Sequence, residues 1–182
     1  MNKLLVPLAV ILVCILITGG SIPAQAMAAI SAPAIAAQPE QTSSSIVRGT
    51  FEPTKSVQDS PPKMENGTWV GEVITYQDFH GTLEGKVVTK TTVEIGLADR
   101  QFTSDVEGTF TGTINGKQGS FTFMAGEYGQ MFTEYSGALT CKFIIINSDG
   151  ELSGLNGNIN TRLSFDLASI AGEYWGTLNF EK

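Results

Sequence analysis

The sequence is poor in the residues from which most reactive sites are built. It has one histidine, His80, and two cysteines, Cys14 and Cys141, in 182 residues. Zinc centres draw several ligands from His and Cys, so no metal site is expected, and no cofactor motif accompanies one. The acids are not gathered as a calcium loop requires; Asn147-Ser148-Asp149-Gly150-Glu151 reads as a hairpin turn instead. Basic clusters are missing as well. With Lys and Arg numbering 11 against 18 Asp and Glu, the formal net charge is −7. That balance opposes nucleic-acid binding, where affinity rests on Lys and Arg neutralising phosphates, and it opposes docking on anionic lipid headgroups. Glycine-rich phosphate loops, nucleophile elbows, paired CxxC elements and fixed-period repeats are absent. No segment carries a 3.6-residue apolar stripe, which argues against a helical fold.

What is present begins with an N-terminal targeting pattern. Lys3 precedes the apolar run Leu4–Ile17, broken only by Pro7, and Gly19, Gly20 and Ala24-Gln25-Ala26 follow. A positive start, an apolar stretch and a small-x-small site read as a secretory signal over residues 1–26, cut before Met27. An uncleaved anchor is the alternative, although the run is shorter than the roughly 20 residues that span a bilayer. Val13 before Cys14 is too bulky for lipoprotein processing. Export then leaves Cys141 without a disulfide partner, so the hydrophobic core alone must hold the domain. Removing residues 1–26 takes away Lys3 and no acid, so −7 becomes −8. Residues 27–45, rich in Ala, Pro, Ser and Gln, read as a flexible linker, and 46–182 as the folded domain. The expected protein is secreted or envelope-associated, with membrane contact only through an N-terminal anchor.

The folded part alternates. Ile46–Glu52 reads as a short first strand, and Val57–Asn66, with Pro61-Pro62, as a loop. Thr68–Phe79 is a strand with two apolar faces, Trp69/Val73/Phe79 or Val70/Ile74/Tyr76. Leu83, Val87, Val93 and Ile95 share one face of the next, and Val106, Phe110 and Ile114 one face of another. Asn115-Gly116 is a hairpin turn, since a type I′ turn needs two residues at positive φ, and Asp149-Gly150 reads the same way. Phe121 and Phe123 follow the first of these turns. Met131–Ile145 is read as a single strand with Met131, Tyr135, Leu139, Cys141, Phe143 and Ile145 inward. Ile159–Leu167 and a last strand through Tyr174, Leu178 and Phe180 bring the count to about eight. Eight antiparallel strands, each apolar on one face, bury those faces by closing into a barrel. A two-sheet β-sandwich is the alternative.

Val106-Glu107-Gly108-Thr109-Phe110, Gly116-Lys117-Gln118-Gly119-Ser120-Phe121 and Gly150-Glu151-Leu152-Ser153-Gly154-Leu155-Asn156-Gly157, with Leu178-Asn179-Phe180-Glu181 at the end, carry a resemblance. Over roughly Ile46–Glu181 the chain resembles a family of small microbial barrel proteins without an assigned function, related in fold to the allene oxide cyclase barrel of plants. The resemblance implies an all-β, eight-stranded antiparallel barrel of allene oxide cyclase-like or lipocalin-like form, with an apolar lumen and a tendency to homo-oligomers. It supplies no reaction, and no catalytic residues carry over.

Two sets of side chains are candidates for chemistry. His80 shares strand parity with Asp78, Tyr76 and Glu72, so Asp78 can orient it as a general acid/base; a polar strand end beside Gly81 is the plainer reading. Trp69, Phe121, Phe123, Tyr135, Leu139 and Tyr174 form an aromatic-rich inner set, suited to a small apolar ligand or simply to core packing. Thr89, Thr91, Thr133 and Thr161 add hydroxyls on or near the core phase. Cys141, between Leu139 and Phe143, reads as an inert buried thiol. Glu127-Tyr128-Gly129-Gln130 is expected in a loop at a cavity rim. Asn66-Gly67-Thr68 is a formal glycosylation sequon. The function class that follows first is a binding module for a small apolar ligand. An envelope structural protein comes next, and an isomerase- or cyclase-like enzyme last.

Overall fold

Two Asn-Gly pairs close hairpins. Asn115 and Gly116 adopt φ of 51° and 81°, and Asn66 and Gly67 adopt 50° and 82°. Both positive angles belong to the type I′ turn, whose twist matches the strands it joins. The second pair, noticed above only as a sequon, is therefore a tight strand connection. The computed structural model describes residues 43–181; the expected signal and most of the expected linker, residues 1–42, lie outside them.

The strands are β1 (Ser43–Glu65), β2 (Thr68–Gly81), β3 (Leu83–Gly96), β4 (Gln101–Ile114), β5 (Lys117–Met131), β6 (Gly137–Gly150), β7 (Leu155–Phe165) and β8 (Ile170–Phe180). Each pairs antiparallel with the next and β8 returns to β1, closing a barrel and setting the sandwich aside. Following partners around the ring from Gly71 through Ser104, Glu127, Cys141 and Tyr174 leads back to β2 at Gly81, ten residues further on. That stagger tilts the strands, as closure of a twisted sheet demands.

β1 departs most from expectation. Instead of a short strand and a loop it runs on to Glu65, paired with β2 through three register shifts. Its other edge pairs with β8 only from Ser43 to Phe51. Pro53, Pro61 and Pro62 all fall beyond that point, on the edge left open. A proline has no N–H to offer a ladder, so it is tolerated on an edge and blocks further pairing there.

Two further segments are corrected. Met131–Ile145 is not one strand: β5 ends at Met131, and a tight connection closed by the Phe132 N–H on the Ser136 carbonyl at 2.8 Å leads into β6. The Asp149-Gly150 turn is also longer than two residues. β6 continues to Gly150 opposite Gly119, and the chain reverses over residues 151–154. Leu152 in this reversal is fully buried and plugs one end of the barrel.

Of the two faces open to β2, Trp69, Val73 and Phe79 point inward. One end of the barrel is packed solid around Phe79, Phe110, Phe121, Phe123, Leu152 and Tyr174. Phe110 stacks on Phe121 at 4.9 Å between centroids and Phe123 on Phe143 at 4.1 Å. The rings need room, and cross-strand glycines supply it. Gly108 faces Phe123 and Gly172 faces Phe51; a Cβ at either would run into the ring. The Tyr174 hydroxyl accepts the Leu83 N–H at 2.8 Å and lies 3.2 Å from the His80 carbonyl oxygen, so the buried ring leaves no polar atom stranded.

Candidate functional site

The opposite end of the barrel is not filled. Trp69, Val93, Ile95, Phe102 and Met131 form a smaller cluster there, and between the two clusters lies a cavity of about 160 Å³. Pro53, Ser56 and Gln58 of β1 and Ile170 of β8 border it, so it lies behind the stretch of wall where β1 has parted from β8. Most of the lining is apolar, with the hydroxyls of Thr89, Thr91 and Thr161 set among it.

The inner set named from the sequence divides between these regions. Trp69 and Leu139 line the cavity. Phe121, Phe123 and Tyr174 are buried in the packed end, where they support the barrel and do not border the cavity. Tyr135 is a correction: it lies in the β5–β6 connection, 42% exposed, because the strand expected to carry it inward is interrupted. Thr133 sits in the same connection and bonds the Ser136 hydroxyl at 2.8 Å.

The second correction concerns Glu127. Residues 127–130 are in β5 rather than in a loop, and the alternation of Phe121, Phe123, Ala125, Glu127 and Met131 turns Glu127 inward. By area Glu127 is only partly buried, and it lines the cavity, so its accessible surface faces that space. The Ser104 hydroxyl donates to its Oε2 at 2.7 Å, and Cys141 is its direct partner on β6. Glu127 is the one acid or base of ordinary strength in the lining; Lys, Arg and His are absent from it. Burial pushes the Glu127 carboxyl above the usual carboxylate range, and hydrogen bonding from Ser104 and Cys141 offsets this only in part. Burial likewise pushes the Cys141 thiol up, and the adjacent Glu127 adds to the shift. A thiol that stays protonated is a poor nucleophile. The alternation through Glu127 was legible in the sequence; Gly126, Gly129 and the surrounding polar residues masked it.

The other candidate set faces away from the lumen. Glu72, Tyr76, Asp78 and His80 alternate with the inward residues of β2, so they share a face, and it is the outer one. His80 Nδ1 lies 3.0 Å from Glu84 Oε1, while Asp78 takes Lys86 at 3.2 Å. The two do not form the expected pair. Hydrogen bonds from His80 and then from the Gly81 N–H hold the Glu84 carboxyl below its ordinary value. Both side chains of the His80–Glu84 pair are more than half exposed, and exposed pairs are screened by water and salt. His80→Ala is expected to leave both the denaturation midpoint and any ligand uptake unchanged, as chemical denaturation and titration would show. Among the described residues no three His, Cys, Asp or Glu side chains gather as metal ligands do.

Residues 47–167 match the sequence profile of a family described as proteins of unknown function, DUF3224. A crystal structure of a protein of unknown function from that family, from Shewanella oneidensis MR-1, superposes with a TM-score of 0.59 at 21% identity. It covers 77% of this chain and 100% of its own. At that identity the likeness is one of fold. No curated protein matches the chain. These matches bear on the unassigned microbial family of the resemblance and leave the plant cyclase barrel without support.

Proposed function

We propose, for a chain that belongs to the DUF3224 family, that the half-open barrel binds a small, mainly apolar ligand and acts as a binding module outside the cytoplasm. The observation that carries this reading is the contrast within one lumen: one end is packed with stacked rings while the other keeps a cavity of about 160 Å³. Close packing is the norm in protein interiors, so a retained void bordered by Trp69, Phe102, Met131 and Leu139 calls for an occupant. Enclosed apolar spaces of about 150 Å³ take up benzene-sized molecules. Burial of apolar ligand surface at roughly 25 cal/mol per Å² supplies the affinity without a charge partner, so binding should depend little on salt. The N-terminal pattern supports export. The fold itself assigns no activity, and the inert thiol and outward-facing His80 favour binding over catalysis.

Trp69 reports on the site, but Trp175, 44% exposed on the outer face, contributes emission as well. In a Trp175→Phe background, titration with benzene should shift the remaining tryptophan emission to saturation, nearly unchanged by added salt. Native mass spectrometry of the purified protein should show a retained small molecule. A silent Trp69 and an empty barrel would favour a structural role.

A further inference from the structure

We propose that Glu127 serves as an uncharged hydrogen-bond donor on the cavity wall, and that the ligand is a small neutral molecule with one acceptor oxygen, of the carbonyl class, on an apolar body. This rests on the binding role proposed above and adds to it the ligand's chemistry.

The argument begins with the row in which Glu127 lies. Ser104, Glu127, Cys141 and Thr161 are successive partners on β4, β5, β6 and β7, and they put a polar belt across a wall that is otherwise mostly apolar. β4 turns Phe102 and Val106 to the cavity beside Glu127, with buried Ser104 between them, and β6 turns Leu139, Cys141 and Phe143. From across the cavity come only hydroxyls, the Gln58 and Gln77 amides and apolar groups. Cys141 is the other titratable side chain of the lining, and its thiol remains protonated.

A carboxylate enclosed in this way has no cation to compensate its lost hydration. Holding a proton removes that cost and makes the carboxyl a donor as well as an acceptor. Ser104 already occupies Oε2 as a donor, so what the group can offer the cavity is its own O–H. The matching ligand atom is an acceptor without a charge, with the apolar remainder lying against Trp69, Phe102 and Leu139. A carbonyl meets that description. An ammonium group would need Glu127 ionised, and so would reverse the dependence on pH.

The test uses the full chain and three cyclic probes of one shape, followed by NMR titration: cyclohexanone, methylenecyclohexane and cyclohexylamine. The informative quantity is the affinity ratio of ketone to alkene, because comparing variants cancels their different hydrophobicity. E127A should lower this ratio about tenfold, the worth of one buried hydrogen bond. E127Q should preserve it, since the amide N–H still donates. In the wild type the ratio should fall as rising pH takes the proton from Glu127; in E127Q it should stay level. Equal ratios in wild type and E127A would overturn the role of Glu127 while leaving the cavity as a binding site. Preferential uptake of cyclohexylamine, growing with pH, would overturn the neutral-donor assignment. If none of the probes entered, both the assignment and the binding role would fall.

Discussion

Phe123→Ala should cost about 3–5 kcal/mol of folding stability, the range for truncating a buried phenylalanine. Phe123 is 1% exposed, lies over Gly108 and stacks on Phe143 at 4.1 Å and near Phe121 at 6.1 Å. Neighbouring strands cannot collapse into the vacated space, because the closed ring fixes their spacing. The void would join the existing cavity through Phe143, which borders it. A loss of this size is a large part of the roughly 5–15 kcal/mol that holds a domain together, and Phe123→Asp should not fold. Leu139→Ala makes the contrasting case. Leu139 is only partly buried and already faces the cavity, so its truncation enlarges a space that exists and should cost less. Urea denaturation of the two alanine variants checks the order. A Leu139→Ala loss equal to that of Phe123→Ala would mean that the barrel is filled evenly from end to end.

The second large effect is the response of stability to pH. Burial raises the Glu127 carboxyl in the folded protein, whereas in the unfolded chain it titrates near the ordinary glutamate value of about 4.3. Between those two values the folded state keeps a proton that the unfolded state has lost. Stability is therefore full below the unfolded value and falls as pH rises through the folded one, levelling off beyond it. E127Q carries no such proton, so the wild type should lose stability relative to E127Q as pH rises above the unfolded value, and the difference should level off beyond the folded one. The raised Cys141 thiol is common to both proteins and acts alike in each. Glu84 and Asp166 act in the opposite sense. Their carboxyls are held low, by His80 and by the backbone N–H groups of Ala168 and Ser169 respectively, so their contributions are lost on acidification; both are at the surface, where screening keeps such contributions small. Thermal melts of wild type and E127Q in a buffer series that starts near the unfolded glutamate value and runs upward test the prediction. Curves that stay parallel would show that Glu127 is solvated or matched by a cation.

Much of the barrel is written locally. The phase of Val106, Phe110 and Ile114 against Thr109, Thr111 and Thr113 places one face inside whatever the partners are, because the side-chain period of a strand is two. Asn115-Gly116 sets a turn through its own backbone preferences. Alternation fails as a guide where a strand meets a special circumstance. The prolines of β1 argue against a strand only if both edges are paired, and the sequence does not tell that one edge is free. The inward carboxyl of Glu127 breaks the apolar pattern of β5, so the segment imitates a loop. Tyr135 keeps the right parity across a reversal that makes parity meaningless.

The sequence by itself determined an all-β domain whose strands hide their apolar faces by closing on one another. Only the tertiary structure decided which part of the lumen is filled. Filling depends on which residues meet across strands, Phe123 over Gly108 and Phe51 over Gly172, and those meetings follow from the ten-residue stagger of the closed ring. It also depends on where β1 leaves β8, which opens the wall beside Pro53 and leaves Glu127 facing a partly open cavity. Both are properties of long-range register, and no local pattern of side chains encodes register around a whole barrel.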